Sequence, residues 1–286
     1  MRRILVATDL SSRADRAMRR AAIAAAARGA ELLMLYAVDD DQPAAIVEAT
    51  RREAAALLAR AADGLPELRG LATRTLVEAG DPFDVILRVA EEQACDLIVL
   101  GEHRRRLLRD MLVGTTVERV IRLSRRPVLM VNALPTGPYR QVLAASDLGP
   151  AAAAMLGAAA ATGLLHDAAL SVLHARESAV GAVLAAGGAP AERRAEHKEA
   201  ALRQAREELA TFLAGLGHPA LRGAEALAVA QPPVPAILGA VERLRPDLLV
   251  IGTRGAASME RAVLGSVAAE VLRQVGCDTL TIPAAG

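Results

Sequence analysis

Two closely spaced glycines and a later Gly-Ser pair follow the apolar run 248–251. Two residues separate Gly252 from Gly255, and nine separate Gly255 from Gly265-Ser266. Glycine lets the backbone approach an anion closely, and the first N–H groups of a helix have no partner within that helix. The positive end of the helix dipole also favours a phosphate, and the Ser266 hydroxyl adds a donor. The spacing therefore predicts a phosphate-binding loop between a strand and a helix.

The stretches around these glycines belong to a unit that occurs twice. Residues 4–11 correspond to 142–149, residues 31–37 to 170–175, and residues 95–101 to 246–252. A repeat of this length indicates two copies of one structural unit. Proline and glycine cluster at Pro135–Pro138, between two apolar runs. We expect unit one at residues 1–134 and unit two at residues 139–286.

Short apolar runs alternate with longer amphipathic segments in both units. In unit one the pattern predicts strands near 3–8, 31–37, 72–77, 96–100 and 128–132, with helices near 12–28, 43–63, 82–94 and 114–124. Continuous apolar strands separated by helices indicate a parallel sheet that is covered on both faces. The predicted fold class is α/β, with two tandem doubly wound five-stranded sheets of the Rossmann-like type. Ligands of such folds bind at the carboxyl ends of the strands.

The pattern of Gly252, Gly255, Gly265 and Ser266 resembles that of the universal stress protein family, in its ATP-binding branch. The resemblance covers nearly the whole chain and implies a fold like that of the adenine nucleotide alpha hydrolases. It also implies an adenine nucleotide site in unit two, whose residues are Ala145, Ser146, Asp147, Ala175, Ile251, Gly252, Gly255, Gly265, Ser266 and Val267.

Asp147 and the glycines have more than one interpretation. Asp147 can accept hydrogen bonds from a ribose or an adenine amine, or it can be the N-cap of the helix that starts at Pro150. The resemblance assigns Ala175 a backbone contact with adenine, whereas the preceding His174 is expected to be packed or capping rather than catalytic. The glycines also suit ordinary turns.

Unit one departs from the pattern, because Arg104 stands where the second glycine is expected. A side chain there would occupy space that the backbone needs to meet a phosphate. Unit one is therefore a weaker second site, with Asp9, Gly101, Gly114 and Thr115 still compatible with binding. In unit two, Asp278 replaces the proline found at Pro127, without an evident effect on the phosphate loop.

The composition excludes several function classes. The net charge is +1 and aromatic residues make up 1% of the chain, which argues against nucleic-acid binding. Two distant cysteines, Cys95 and Cys277, without metal-ligand spacing fit a reduced, cytoplasmic protein. The apolar stretch 148–165 has the length of a membrane span, but its alanines and glycines favour a packed helix.

The expected function is ATP binding within a stress response, exerted through conformation or partner binding. AMP, ADP and an accompanying Mg²⁺ ion stay open as alternatives. The chain lacks a Walker lysine, since its only lysine is Lys198, so at most a slow ATPase is expected. An interaction scaffold that binds no nucleotide, and an adenylating or nucleotide-cleaving enzyme, are the competing hypotheses.

Two further expectations concern assembly and an insertion. The last strands, 127–131 and 279–282, would be exposed edges if left unpaired, so we expect them to pair within the chain as a pseudo-dimer. Homodimerisation of the whole chain stays open. The small apolar residues at 179–188 suit a short packed helical turn, a flap over the ligand or a contact with a partner.

Overall fold

The computed structural model describes residues 1–101, 115–176, 187–188, 190–253 and 264–284. The expectations for Arg104, Gly114 and Gly255 lie outside the described residues, as does most of the 179–188 insertion.

The strands and helices of the described residues follow the alternation that the sequence predicts. The strands are β1 (Arg3–Ala7), β2 (Glu31–Val38), β3 (Thr73–Ala79), β4 (Leu97–Gly101), β5 (Val128–Val131), β6 (Gln141–Ser146), β7 (Ala169–Ala175), β8 (Glu225–Val229), β9 (Leu248–Gly252) and β10 (Asp278–Ile282). The α-helices are α1 (Ser12–Arg28), α2 (Ala44–Gly64), α3 (Pro82–Glu92), α4 (Thr116–Leu123), α5 (Pro150–Ala161), α6 (Ala191–Ala214), α7 (Pro233–Leu244) and α8 (Ser266–Gln274). Short 3-10 turns occur at Pro66–Leu68 and Pro219–Leu221.

All ten strands form one sheet in the order β3-β2-β1-β4-β5-β10-β9-β6-β7-β8. Within each half the neighbouring strands are parallel, which confirms the predicted doubly wound α/β fold. The halves meet at β5 and β10, which run antiparallel with Leu280 opposite Leu129. The two five-stranded sheets are therefore continuous. The strand order reverses between β1 and β4 and again between β6 and β9. The crevices at the carboxyl ends of these two strand pairs are therefore the switch points where ligands of such folds bind.

Helices cover both faces of the sheet because the central strands are apolar on both sides. One core contains Ala21 of α1, Leu58 of α2 and Leu156 of α5. The other contains Val120 of α4 and Val271 of α8. Parallel strands buried on both faces are mostly apolar along their length, although Ser171, Thr279 and Thr281 are buried within them.

The junction between the halves contains a buried acid, Asp278, for which the sequence indicated no structural role. Asp278, at the start of β10, is 0% exposed. Its carboxylate accepts hydrogen bonds from Arg20 Nε at 3.1 Å, from the Tyr139 hydroxyl at 2.7 Å, and from the Asn132 and Ala133 amides at 2.9 and 3.0 Å. Burial, together with the neighbouring Asp278 carboxylate, raises the pKa of Tyr139 well above its ordinary value. This cluster ties α1 and the linker of unit one to the last strand of unit two.

The apolar stretch 148–165 contains helix α5, which has 12 residues. In the part of the chain that the structure describes, no helix has the length and hydropathy needed to cross a membrane.

Candidate functional site

The loop after β6 is held in a fixed shape by its own side chains. Ser146 Oγ accepts a hydrogen bond from the Leu148 amide at 3.1 Å, and Asp147 Oδ1 accepts one from the Gly149 amide at 3.2 Å. Leu148 adopts a left-handed conformation with φ +62°, which a leucine rarely does. The N-cap of α5 is Gly149, without a side-chain capping bond. The alternative role of Asp147 as N-cap is therefore wrong.

The same loop geometry recurs after β1 in unit one. Thr8 Oγ1 accepts from the Leu10 amide at 2.9 Å, and Asp9 Oδ1 accepts from the Ser11 amide at 3.0 Å. Leu10 has φ +58°, close to that of Leu148. A strained backbone that persists in both copies indicates that its surroundings hold it in place, as is common at binding sites.

Helix α8 presents its first amides at the neighbouring strand end. Its N-cap is Gly265, with φ −59° and ψ 143° and no side-chain capping bond. The Gly265 amide donates to the Thr253 carbonyl at 2.8 Å, so this amide is not available to an anion. The amides of Ser266, Val267 and Ala268 follow in the first turn, where an α-helix offers no acceptor.

These two segments border one cavity of about 570 Å³, at the gap between β6 and β9. That volume lies within the range of about 300–1,000 Å³ typical of small-molecule sites. The structure brings nine of the ten unit-two residues together in its lining: Ala145, Ser146, Asp147, Ala175, Ile251, Gly252, Gly265, Ser266 and Val267. The tenth, Gly255, lies outside the described residues.

The walls of this cavity are mainly apolar. Met155, Leu173 and Ile237 contribute to them, and sequence analysis identified none of the three. Asp147 is the one charged residue among the described residues of the lining. The backbone amides at the start of α8 and its helix dipole are features of this lining that favour an anion.

A second cavity of about 710 Å³ adjoins the first between β7 and helix α6. Both cavities are lined by Asp147 and Ala175. His174 lines the second cavity and is 7% exposed, and its Nδ1 lies 3.1 Å from the Ser146 carbonyl. This is the packed histidine that the sequence predicts, although it faces a cavity.

Comparison with known proteins places the chain in a family. The model of the universal stress protein family matches it twice, over residues 1–132 and 138–283. The chain belongs to the universal stress protein family.

Solved structures agree with the tandem arrangement of this universal stress protein. A universal stress protein from Archaeoglobus fulgidus is 19% identical, with a TM-score of 0.69, and the match covers 99% of this chain and 96% of that chain. Protein PA1789 from Pseudomonas aeruginosa PAO1 is also 19% identical, with a TM-score of 0.67, and the match covers 99% of this chain and 93% of the other. At such identities the likeness shows the fold alone.

One curated relative matches a shorter segment. Universal stress protein MJ0577 from Methanocaldococcus jannaschii is 33% identical over 63 residues, which is 22% of this chain. The match spans 39% of that relative's length.

The weaker site predicted in unit one is arranged differently. Thr115 is the N-cap of α4, and its hydroxyl accepts a hydrogen bond from the Glu118 amide at 3.2 Å. In that bond the hydroxyl oxygen accepts, so its own hydrogen can still be donated to another group. Asp9 and Gly101 lie at the ends of the adjacent strands β1 and β4, whereas Gly114 is outside the described residues.

Among the described residues, Asp39, Asp40 and Asp41 form the one acidic cluster that brings three potential metal ligands together. All three are exposed, and none of them lines either cavity. Such clusters are common on protein surfaces without an ion.

Proposed function

We propose that unit two binds an adenine nucleotide, with ATP as the first candidate, in the cavity between β6 and β9. One observation carries the proposal: the first turn of α8 and the carboxylate of Asp147 border the same cavity at a switch point of the sheet. The glycine spacing shared with the ATP-binding branch of the family supports it.

The two polar sides of the cavity suit the two ends of a nucleotide. The amides of Ser266, Val267 and Ala268 and the helix dipole attract phosphate oxygens. The Asp147 carboxylate accepts hydrogen bonds from ribose hydroxyls, and the apolar walls suit the uncharged part of the ligand. The base then lies toward Ala175, where the second cavity begins. A Mg²⁺ ion that accompanies ATP would be held mainly by phosphate oxygens and water.

The proposal places one nucleotide in each chain. In unit one, Arg104 stands where the second glycine is expected, and its side chain would occupy space that the backbone needs to meet a phosphate. Unit one then serves as the structural partner that covers the edge strand β10 of unit two.

The protein acts by holding the nucleotide rather than by consuming it. Transfer of a phosphoryl group needs cationic groups or metal ions that stabilise the charge on the γ-phosphate. The described lining of the cavity offers neither lysine nor arginine. We therefore assign it a role in the stress response in which the bound nucleotide changes the conformation or partner binding of the chain.

A bulky substitution at the mouth of the cavity tests the proposal. Ala151 is exposed on α5 and lines the cavity, whereas Ala154 is exposed on the same helix outside the lining. Isothermal titration of ATP into the full chain should show one site per chain. Ala151→Trp should abolish that binding, and Ala154→Trp should preserve it.

Each other result of this titration contradicts a specific part of the proposal. If the wild type does not bind ATP, the nucleotide function is wrong and an interaction scaffold takes its place. Two sites per chain would show that unit one also binds. Equal binding by both tryptophan variants would locate the site elsewhere.

A further inference from the structure

The second cavity contains a buried nitrogen atom that lacks a hydrogen-bond partner. His174 Nδ1 lies 3.1 Å from the Ser146 carbonyl. A carbonyl oxygen can only accept, so Nδ1 carries the hydrogen, and Nε2 of the neutral ring is an acceptor. Within the described residues, Nε2 is buried and has no hydrogen-bond partner. A buried acceptor without a donor is costly, which favours a ligand that supplies one.

A second acceptor faces this nitrogen. Glu208 Oε2, on helix α6, lies 3.9 Å from His174 Nε2. Arg176 Nη1 donates to Glu208 Oε1 at 2.8 Å and to Oε2 at 2.6 Å, and Gln204 Nε2 donates to Oε1 at 3.1 Å. These bonds hold the carboxylate in place next to the histidine.

The rest of the cavity adds acceptors and apolar surface. Asp147 and Glu207 contribute two more carboxylates, while Leu148 and Phe212 contribute apolar surface. Arg176, the one cationic side chain in the described lining, is paired with Glu208. This lining suits a flat ring that carries an amino group, because an –NH₂ group has two hydrogens for two acceptors. A ring with a carbonyl oxygen at the same place would bring a further acceptor next to His174 Nε2 and the Glu208 carboxylate, and these groups would repel it.

We infer that His174 and Glu208 read the base of the bound nucleotide and select an amino-purine over an oxo-purine. The inference rests on the proposed nucleotide function, because the second cavity opens from the first at Asp147 and Ala175. It assigns specificity to side chains that are neither part of the glycine pattern nor placed near each other in the sequence.

ATP and ITP provide the matched probes, because adenine carries an amino group where hypoxanthine carries a carbonyl oxygen. The adjacent ring nitrogen changes with it, from an acceptor in adenine to an N–H donor in hypoxanthine. Isothermal titration of each nucleotide into the full chain should give at least about tenfold tighter binding of ATP. Glu208→Gln removes the charge and introduces a donor, so the preference should fall to about equality or reverse. His174→Asn keeps a side-chain N–H near the Ser146 carbonyl and removes the second nitrogen, with the same expected result.

Glu196→Gln is the control, since Glu196 is exposed on the same helix and lies outside the cavity lining. It should keep the ATP preference of the wild type. Thermal melting checks that each variant folds. Glu208 is 37% exposed, so Glu208→Gln decides the question alone if His174→Asn is unstable.

The outcomes distinguish a failure of the base selection from a failure of the proposed nucleotide binding. Equal affinity of the wild type for ATP and ITP overturns the base selection and leaves nucleotide binding intact. Variants that lose ATP and ITP affinity by the same factor also overturn it, because the cavity would then be structural. Binding of neither nucleotide to the wild type removes the proposed function and the inference together.

Discussion

Replacing Asp278 with asparagine should destabilise the protein by about 3–5 kcal/mol, the usual cost of breaking a buried ion pair from one side. The size of Asn matches that of Asp, so the loss is electrostatic rather than a cavity. Arg20 is 5% exposed and would keep a buried charge without its counter-ion. The Tyr139 hydroxyl and the amides of Asn132 and Ala133 also donate to this carboxylate, and an asparagine side chain has one oxygen to serve them.

Urea denaturation followed by far-ultraviolet circular dichroism measures this effect. The matched control is Glu92→Gln, which breaks the exposed i,i+4 pair with Arg88, whose side chains are 53% and 46% exposed. Such a pair contributes about 0.5 kcal/mol or less. If Asp278→Asn unfolds within about 1 kcal/mol of the wild type, the buried cluster does not stabilise the junction in the way argued from its burial.

Three further predictions concern single residues. Gly163→Ala should lower the free energy of unfolding by about 1–2 kcal/mol, because φ is +73° there and a Cβ would lie 2.8 Å from Arg28 Cδ. Gly157→Ala, in the open interior of α5, should raise the free energy of unfolding by about 0.5–1 kcal/mol. Thermal denaturation measures both changes. Thr115→Ala removes the N-cap hydrogen bond of α4 and should lower the free energy of unfolding by about 1 kcal/mol. An unchanged melting temperature would contradict the capping role. Burial raises the pKa of Cys95 from 9.0 to about 11, so between these values the unfolded chain ionises while the folded chain stays protonated. The free energy of unfolding should therefore fall as pH rises through this window and be unaffected below it, and Cys95→Ala should remove that part of the slope in urea titrations.

The strands and helices could be predicted from the sequence because each has a signal in its own residues. The expected strand at 31–37 is Glu31–Val38 in the structure, and the expected helix at 82–94 is Pro82–Glu92. Strands buried on both faces appear as uninterrupted apolar runs, and Pro82 marks a helix start. The repeat then supplied the same elements for the second half.

The buried cluster at the junction could not be predicted in this way. When the two units are aligned, Asp278 takes the place of Pro127, and nothing in the alignment indicates that it has a structural role. Its partner Arg20 is 258 positions away, and Tyr139 is 139 positions away. Such contacts depend on how the two halves meet, which leaves no periodic signal in the sequence.

The candidate site was partly accessible from the sequence. The glycine spacing located the strand and helix that border the cavity, but it gave no indication that the Gly265 amide donates to the Thr253 carbonyl. The pattern also contained no indication of Glu208, because helix α6 reaches the second cavity from a distant part of the chain. Side chains brought together by packing need the three-dimensional structure.

The affinity of two Ser266 variants for ATP shows whether the first-turn amides of α8 hold the phosphates. Ser266→Ala removes the hydroxyl and keeps the amide, whereas Ser266→Pro also removes the amide hydrogen. Proline is tolerated at the first helical position, and the conformation of Gly265, with φ −59° and ψ 143°, is compatible with a following proline. If these amides hold the phosphates, Ser266→Pro binds ATP at least about tenfold more weakly than Ser266→Ala, with both variants folded. Equal affinity of the two variants would contradict this role of the amides.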